Sequence, residues 1–246
     1  MTLFQNLATD DSIQDEKDVL GGGGFKALPS NIYDFTIKLA YVTIAASKAT
    51  GIVLELETEA GEKLKVTEWV SSGEAKGCKN YYEKDGQKYY LPGFNNINAV
   101  CLLTVGKELK DMETETKQIP LWNSEAKAEV PTKTQVLTDL HGQVITMGVL
   151  REIHNKTKWN AETKEREVVE GTVEQNVINK VFRTKDHKTV AEIRGQAEEA
   201  AFYSQWKEKN EGKDVDKTKA TTAGAGTAGA PKAAAAGSKP KTSLFG

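Results

Sequence analysis

The sequence predicts a mainly β protein with five core strands, a helix between strands three and four, an added hairpin and a C-terminal helix. Three observations carry the β assignment. Tyr33, Phe35, Ile37, Leu39 and Tyr41 recur at period two, which puts five large side chains on one face of a strand. Ile52, Leu54 and Leu56 repeat the pattern, and the Ala60-Gly61 turn leads into Lys63–Trp69, where Leu64 and Val66 share a face with Val70. Asp85-Gly86 then sits between two tyrosine-bearing stretches. It is a favoured two-residue hairpin turn, because Gly supplies positive φ and Asp tolerates it.

The elements follow in order. Residues 1–30 read as a flexible arm, with Asp10, Asp11, Asp15, Glu16 and Asp18 ahead of the run Gly21–Gly24. That run lacks the Gly-Lys-Ser/Thr of a phosphate loop and reads as a hinge. Core strands are expected near 32–43, 51–58, 63–70, 143–154 and 167–182. The Asp85-Gly86 turn pairs Lys84 with Gln87, Glu83 with Lys88, Tyr82 with Tyr89 and Tyr81 with Tyr90, matching charge with charge and ring with ring. One face of the hairpin then holds Tyr82, Tyr89 and Lys84, and the other Tyr81, Tyr90 and the Glu83–Lys88 pair.

Phe94–Val105 has the apolar spacing of a buried helix. Gly106–Thr134 is a polar excursion interrupted by Ile119-Pro120-Leu121-Trp122, and Thr134–Leu140 reads as a short helix ended at His141-Gly142. Lys156–Glu165 reads as a charged hairpin tip around Trp159-Asn160. Thr189–Lys209 is expected to form one helix whose stripe of Val190, Ile193, Ala197, Ala200, Ala201 and Phe202 continues to Trp206. The domain reading is therefore an arm at 1–30, a core at 31–212, and a disordered tail at 213–246 whose Ala, Gly, Thr, Lys and Pro cannot bury enough surface to offset chain entropy.

Composition narrows the function classes. No stretch approaches the ~18 apolar residues of a membrane span, and the first residues lack the pattern of a secretory leader. Cys78 falls in a polar stretch and Cys101 in an apolar one, so two free thiols in a reducing cytosol are expected. Without CxxC spacing, and with His141, His154 and His187 scattered, neither a zinc site nor any cofactor is expected. No nucleophile, metalloprotease or nucleotide-loop motif occurs, and triplets such as Glu108-Leu109-Lys110 arise by chance in a chain this rich in Glu and Lys; the expectation is a protein without an enzymatic site.

The net charge is −2, yet Lys213–Gly246 holds six lysines against two aspartates. The rest of the chain is therefore acidic, and a nucleic-acid site on it has to be a local patch. Binding a single strand requires exposed rings for stacking beside cations that follow phosphates. Two stretches offer that mixture: Lys79, Tyr82, Lys84, Lys88 and Tyr89 on the hairpin, and Arg151, Lys156, Lys158 and Trp159 further on. In the tail, Leu244-Phe245 returns two large apolar side chains after a run without one, the pattern of a tethered partner-binding tip.

The order of features suggests a family. An N-terminal Leu-Phe arm, a Gly-rich break and Leu28-Pro29-Ser30-Asn31-Ile32-Tyr33 are followed by Tyr89-Tyr90-Leu91-Pro92-Gly93-Phe94-Asn95 and an Ala/Lys/Pro tail closing on Leu-Phe. In this pattern the chain resembles the single-stranded-DNA-binding proteins of tailed bacteriophages. The resemblance implies an OB-fold-like five-stranded barrel with the helix between its third and fourth strands, in a protein acting in phage DNA replication or recombination in the cytoplasm of an infected bacterium. It also implies recruitment of a replication partner (polymerase, helicase or primase) through the C-terminal tip, and leaves homo-oligomerisation open. Many such proteins end in an acidic tail, whereas this one is basic and is expected to add sequence-independent phosphate affinity. Two other classes stand beside this reading: a virion or assembly protein with a β-rich interaction domain, and a metal-dependent nuclease.

Overall fold

Alternation in the sequence becomes a branched, largely antiparallel sheet in the computed structural model, which describes residues 27–123, 125–163 and 165–218. The Gly21–Gly24 hinge and the Leu244-Phe245 tip lie outside the described residues. In chain order the elements are β1 (Asn31–Ile44), β2 (Thr50–Thr58), β3 (Lys63–Trp69), β4 (Tyr81–Lys84), β5 (Gln87–Tyr90), α1 (Pro92–Thr104), β6 (Glu115–Asn123), β7 (Ala128–Val136), β8 (Val144–Asn160), β9 (Glu165–Phe182), α2 (Val190–Arg194), α3 (Ala201–Asn210) and β10 (Val215–Asp216). Eight strands share one sheet with the path β10-β8-β1-β2-β3; β9 joins β8, and the β6–β7 arm joins β1 through β7. The β4–β5 hairpin stands apart as a second, two-stranded sheet.

β1 organises the sheet by changing partners along its length. Asn31–Thr36 pair with β8, Phe35–Ile44 pair with β2, and Tyr41 meets Val136 of β7. A bulge between Ile37 and Leu39 flips the alternation, since an extra residue reverses which face every later side chain takes. Phe35, Ile37 and Ala40 therefore enter the main core with Leu54, Leu56, Leu64, Ile97 and Val149. Leu39 and Tyr41 emerge on the opposite face with Val53 and Val136, under Ile119 and Leu121 of the β6–β7 arm. The single face expected for Tyr33 through Tyr41 is thus divided between two clusters.

The expected five-stranded barrel is corrected to an open sheet. β3 pairs only with β2 and β9 only with β8, so no ladder joins the two edges. α1 spans the gap instead: the Asn96 side-chain amide donates to the Ile178 carbonyl (2.9 Å) and to the Glu68 carboxylate (3.3 Å). Pro92 opens this helix at a position where a missing N–H costs nothing. Gly93 then lies directly on the β3 backbone, where a Cβ would come within 2.5 Å of the Trp69 carbonyl oxygen. Because that obstacle is backbone, Gly93→Ala is expected to destabilise the fold by about 1–3 kcal/mol through overpacking. Urea unfolding measures this, and an unchanged midpoint would show that helix and strand separate without cost.

Other expectations are also corrected. The polar excursion contains the β6–β7 arm, and Thr134–Val136 belong to β7, followed by a single 3₁₀ turn at Thr138–Leu140. Pro120 and Pro131 face one another in this arm. They are tolerated because most of the arm has a strand on one side only, leaving no ladder to interrupt. The single helix at 189–209 is two helices: Thr189 caps α2 in a reciprocal capping box with Glu192, and the chain breaks at Gly195-Gln196, where Gln196 takes φ 52°. Ala27, Leu28 and Ser30, ahead of the expected core, are buried, and β10, beyond it, pairs in parallel with Glu152 and Ile153 of β8.

Cys78 and Cys101 are free, the first exposed and the second buried; burial pushes the Cys101 thiol up to about 12. No helix among the described residues is long and apolar enough to cross a membrane.

Candidate nucleic-acid interface

The β4–β5 hairpin forms in the register its turn residues predict, with Tyr82 opposite Tyr89 and Tyr81 opposite Tyr90, and Asp85 at φ 53° and Gly86 at φ 75° in the turn. Tyr82 and Tyr89 stack at 5.7 Å between ring centroids with planes 27° apart, and Tyr89 reaches solvent. Lys84 shares that face by alternation. Lys79 and Lys88 do not act there. Their ammonium groups lie 5.4 and 5.0 Å from the centre of the Tyr81 ring, on the other side of the hairpin. The five hairpin residues lie on two faces, as alternation from the Asp85-Gly86 turn predicts for Lys88, and Tyr81 is the ring the two cations share.

The hairpin is anchored to the sheet by its flanking loops. Leu91 donates its amide to the Asn80 carbonyl (2.9 Å), and Ser72 donates to Lys79 (2.7 Å). Glu74 donates to the carbonyl of Ser47 in the β1–β2 turn (2.7 Å), and Gly73 packs so closely on Ser47 that a Cβ would lie 2.8 Å from the Ser47 oxygen. Tyr90, 57% exposed, leans on Phe94 of α1 at 5.0 Å. The hairpin, the β1–β2 turn and the start of α1 therefore meet at one end of the sheet.

Trp69, at the end of β3, presents a further ring. Its indole lies over Gly51, where a Cβ would be 3.0 Å from the ring, and 43% of the residue remains exposed. Further along the same face Lys65 sits 5.6 Å from the Tyr41 ring and 2.7 Å from Glu55. Partial burial lowers the Lys65 pKa, but the bonds to Glu55 and Tyr41 outweigh it and raise the balance. Residue patterning passes over Trp69 because a strand-end Trp serves core and surface equally well. Gly51 directly opposite it in the β2–β3 pairing is the signal that leaves room for a ring.

The second stretch lies on the β8–β9 arm. Trp159 is 56% exposed, but it belongs to β8 and pairs with Arg166, so the turn is two residues later than predicted. Thr157 and Val168 share its face, and Arg166 donates to the Thr157 hydroxyl (3.4 Å). Lys158 lies opposite Glu167, and Lys156, at a bulge, is exposed. Arg151 is engaged elsewhere: its guanidinium grips both oxygens of Asp214 at 2.6 and 2.8 Å, tying the start of β10 to β8. Sequence reasoning also passed over Trp122, 67% exposed in the β6–β7 arm.

No protein-family model matches this chain, and no curated protein matches it. Among the described residues no cluster of three or more His, Cys, Asp or Glu side chains is arranged to hold a metal ion.

Proposed function

We propose that this protein binds single-stranded DNA without sequence preference, as the phage replication and recombination proteins that it resembles do. The observation that carries this reading is the tyrosine hairpin. Four tyrosines in adjacent pairs, two of them well exposed and one flanked by Lys79 and Lys88, place π-faces beside cations. That combination suits any base sequence, because every base offers a stacking face and every nucleotide a phosphate.

The strand order adds support. β1-β2-β3 with β8 and β9, and α1 preceding β8 in sequence, would supply the five strands and the helix of a partly open oligonucleotide-binding barrel, with β4–β5 and β6–β7 as insertions. Folds of this kind receive the strand between the first turn and the turn joining the last two strands. Here the hairpin and Trp69 adjoin the first of those turns, and Trp159 stands near the second. The Leu244-Phe245 tip would recruit a replication partner through an apolar pocket, with the lysine-rich tail adding phosphate affinity.

Fluorescence anisotropy of a labelled oligo-dT of about 30 nucleotides, titrated across a salt series with duplex DNA as control, tests the proposal. Binding that prefers the single strand and weakens steeply with salt is expected. Absence of binding at low salt would sink it and favour an assembly protein, a reading to which the exposed Ile44 and Trp122 would then contribute.

A further inference from the structure

Two hairpin arms of this chain carry the same tip. Trp122-Asn123-Ser124-Glu125-Ala126-Lys127 in the β6–β7 arm and Trp159-Asn160-Ala161-Glu162-Thr163-Lys164 in the β8–β9 arm share Trp, Asn, Glu and Lys in one frame. The chain has only 4 tryptophans, and two of them stand in this frame, so coincidence is a poor account of it. The structure repeats along with the sequence. Asn123 pairs with Ala128 and Asn160 with Glu165, so in each arm the Asn forms the last strand pair before the turn and the Trp the pair before that. Each Asn side-chain oxygen then accepts from two amides of its own turn. Asn123 takes Glu125 and Ala126, both at 2.9 Å, and Asn160 takes Glu162 at 2.8 Å and Thr163 at 3.3 Å. A side chain thereby sets the turn in place of a backbone carbonyl.

The turn accounts for the Asn but not for the Trp. A ring that serves the ladder is covered by an apolar neighbour on the facing strand. Here the residue opposite is Glu129 in one arm and Arg166 in the other, and the two rings stay 67% and 56% exposed. The arms belong to different parts of the sheet: β7 meets β1 at Tyr41, β8 meets it along Asn31–Thr36, and no ladder joins one arm to the other.

One tip built twice on one chain suits a ligand that itself repeats. Every nucleotide of a single strand offers a base face, and stacking on it requires an exposed ring and no particular sequence. A protein partner asks for more, since a stable interface buries about 800 Å² on each side around an apolar centre. Each of these rings instead adjoins Asn, Glu and Lys. We propose that Trp122 and Trp159 are two equivalent stacking sites for bases of one DNA strand, one at the tip of each arm. This inference rests on the single-stranded-DNA reading and deepens it by adding the β6–β7 arm to the interface.

Anisotropy of a labelled oligo-dT of about 30 nucleotides, with the full chain carrying Trp122→Ala, Trp159→Ala or both, tests it. Each single change is expected to weaken binding about tenfold, and the double change by about the product, because the two tips share no partner. Trp122→Phe and Trp159→Phe should keep most of the affinity, since a smaller ring still stacks. If the unaltered protein binds and the double alanine variant binds equally well, the inference is overturned while the DNA reading stands. Equal losses in the Ala and Phe variants would also overturn it, because stacking would not be what was lost. If the unaltered protein fails to bind even at low salt, the DNA reading itself falls and takes this inference with it. Self-association that disappears in the double variant would then assign the tips to a second copy.

Discussion

Alanine at both Tyr82 and Tyr89 is expected to weaken oligo-dT binding by about tenfold or more, because a base stacked on an aromatic ring contributes roughly 1–3 kcal/mol and 1.4 kcal/mol is tenfold in affinity. The hairpin that carries them is a separate two-stranded sheet, so the loss should leave the unfolding midpoint of the core nearly unchanged. Tyr81→Ala is expected to act alongside it by removing the ring between Lys79 and Lys88. Trp159→Ala should weaken binding if the strand runs from the hairpin to the β8–β9 arm, and its effect should add to that of the tyrosine pair, since the positions share no partner. Arg151→Ala gives the contrast. The guanidinium is committed to Asp214, so its removal should loosen β10 and leave the salt dependence of binding nearly intact. Anisotropy titrations of these variants, with circular dichroism as a control, decide the matter. Full affinity in the Tyr82/Tyr89 double variant would move the interface elsewhere, with Trp69 and Trp122 the next rings to replace.

Trp206→Ala is expected to destabilise the protein by about 3–5 kcal/mol, the range for removing a fully packed aromatic ring. Trp206 is the buried centre of α3, packed with Leu150 and Phe182, and its indole N–H donates to the Asn179 side chain (2.7 Å). The ring lies flat against Gly148 of β8, where a Cβ would come within 2.8 Å of it. Truncation therefore empties a site whose floor is backbone and cannot collapse inward. Against a typical domain stability of about 5–15 kcal/mol this is a large share. Guanidinium unfolding would show the midpoint falling well below that of the unaltered protein. A change below about 1 kcal/mol would mean that α3 contributes little to the cooperative unit.

Much of this architecture follows from sequence periodicity and turn chemistry. Period-two alternation locates β1, β2 and β3; Asp85-Gly86 sets the hairpin register to the residue; and the spacing of Ile97, Val100 and Cys101 places α1. Those signals are local, because a strand's alternation or a turn's φ requirement is written in adjacent residues. The β6–β7 arm escaped because its faces are largely exposed and its prolines read as breakers, while its one apolar contact, Ile119 and Leu121 on Tyr41 and Val53, joins residues far apart in the chain. The break at Gly195-Gln196 escaped because the apolar stripe runs on across it.

Only the tertiary structure decided how the candidate residues combine. Sequence supplied the rings and lysines and put Lys88 on the Tyr81 face, but only the folded chain brings Lys79 to the same ring and commits Arg151 to Asp214 rather than to solvent. It likewise supplied five core strands without saying whether they close. Closure depends on whether β3 and β9, about a hundred residues apart, come within hydrogen-bonding distance. Here they do not pair, and α1, seated on β3 through Gly93 and reaching β9 with Asn96, spans the seam between them.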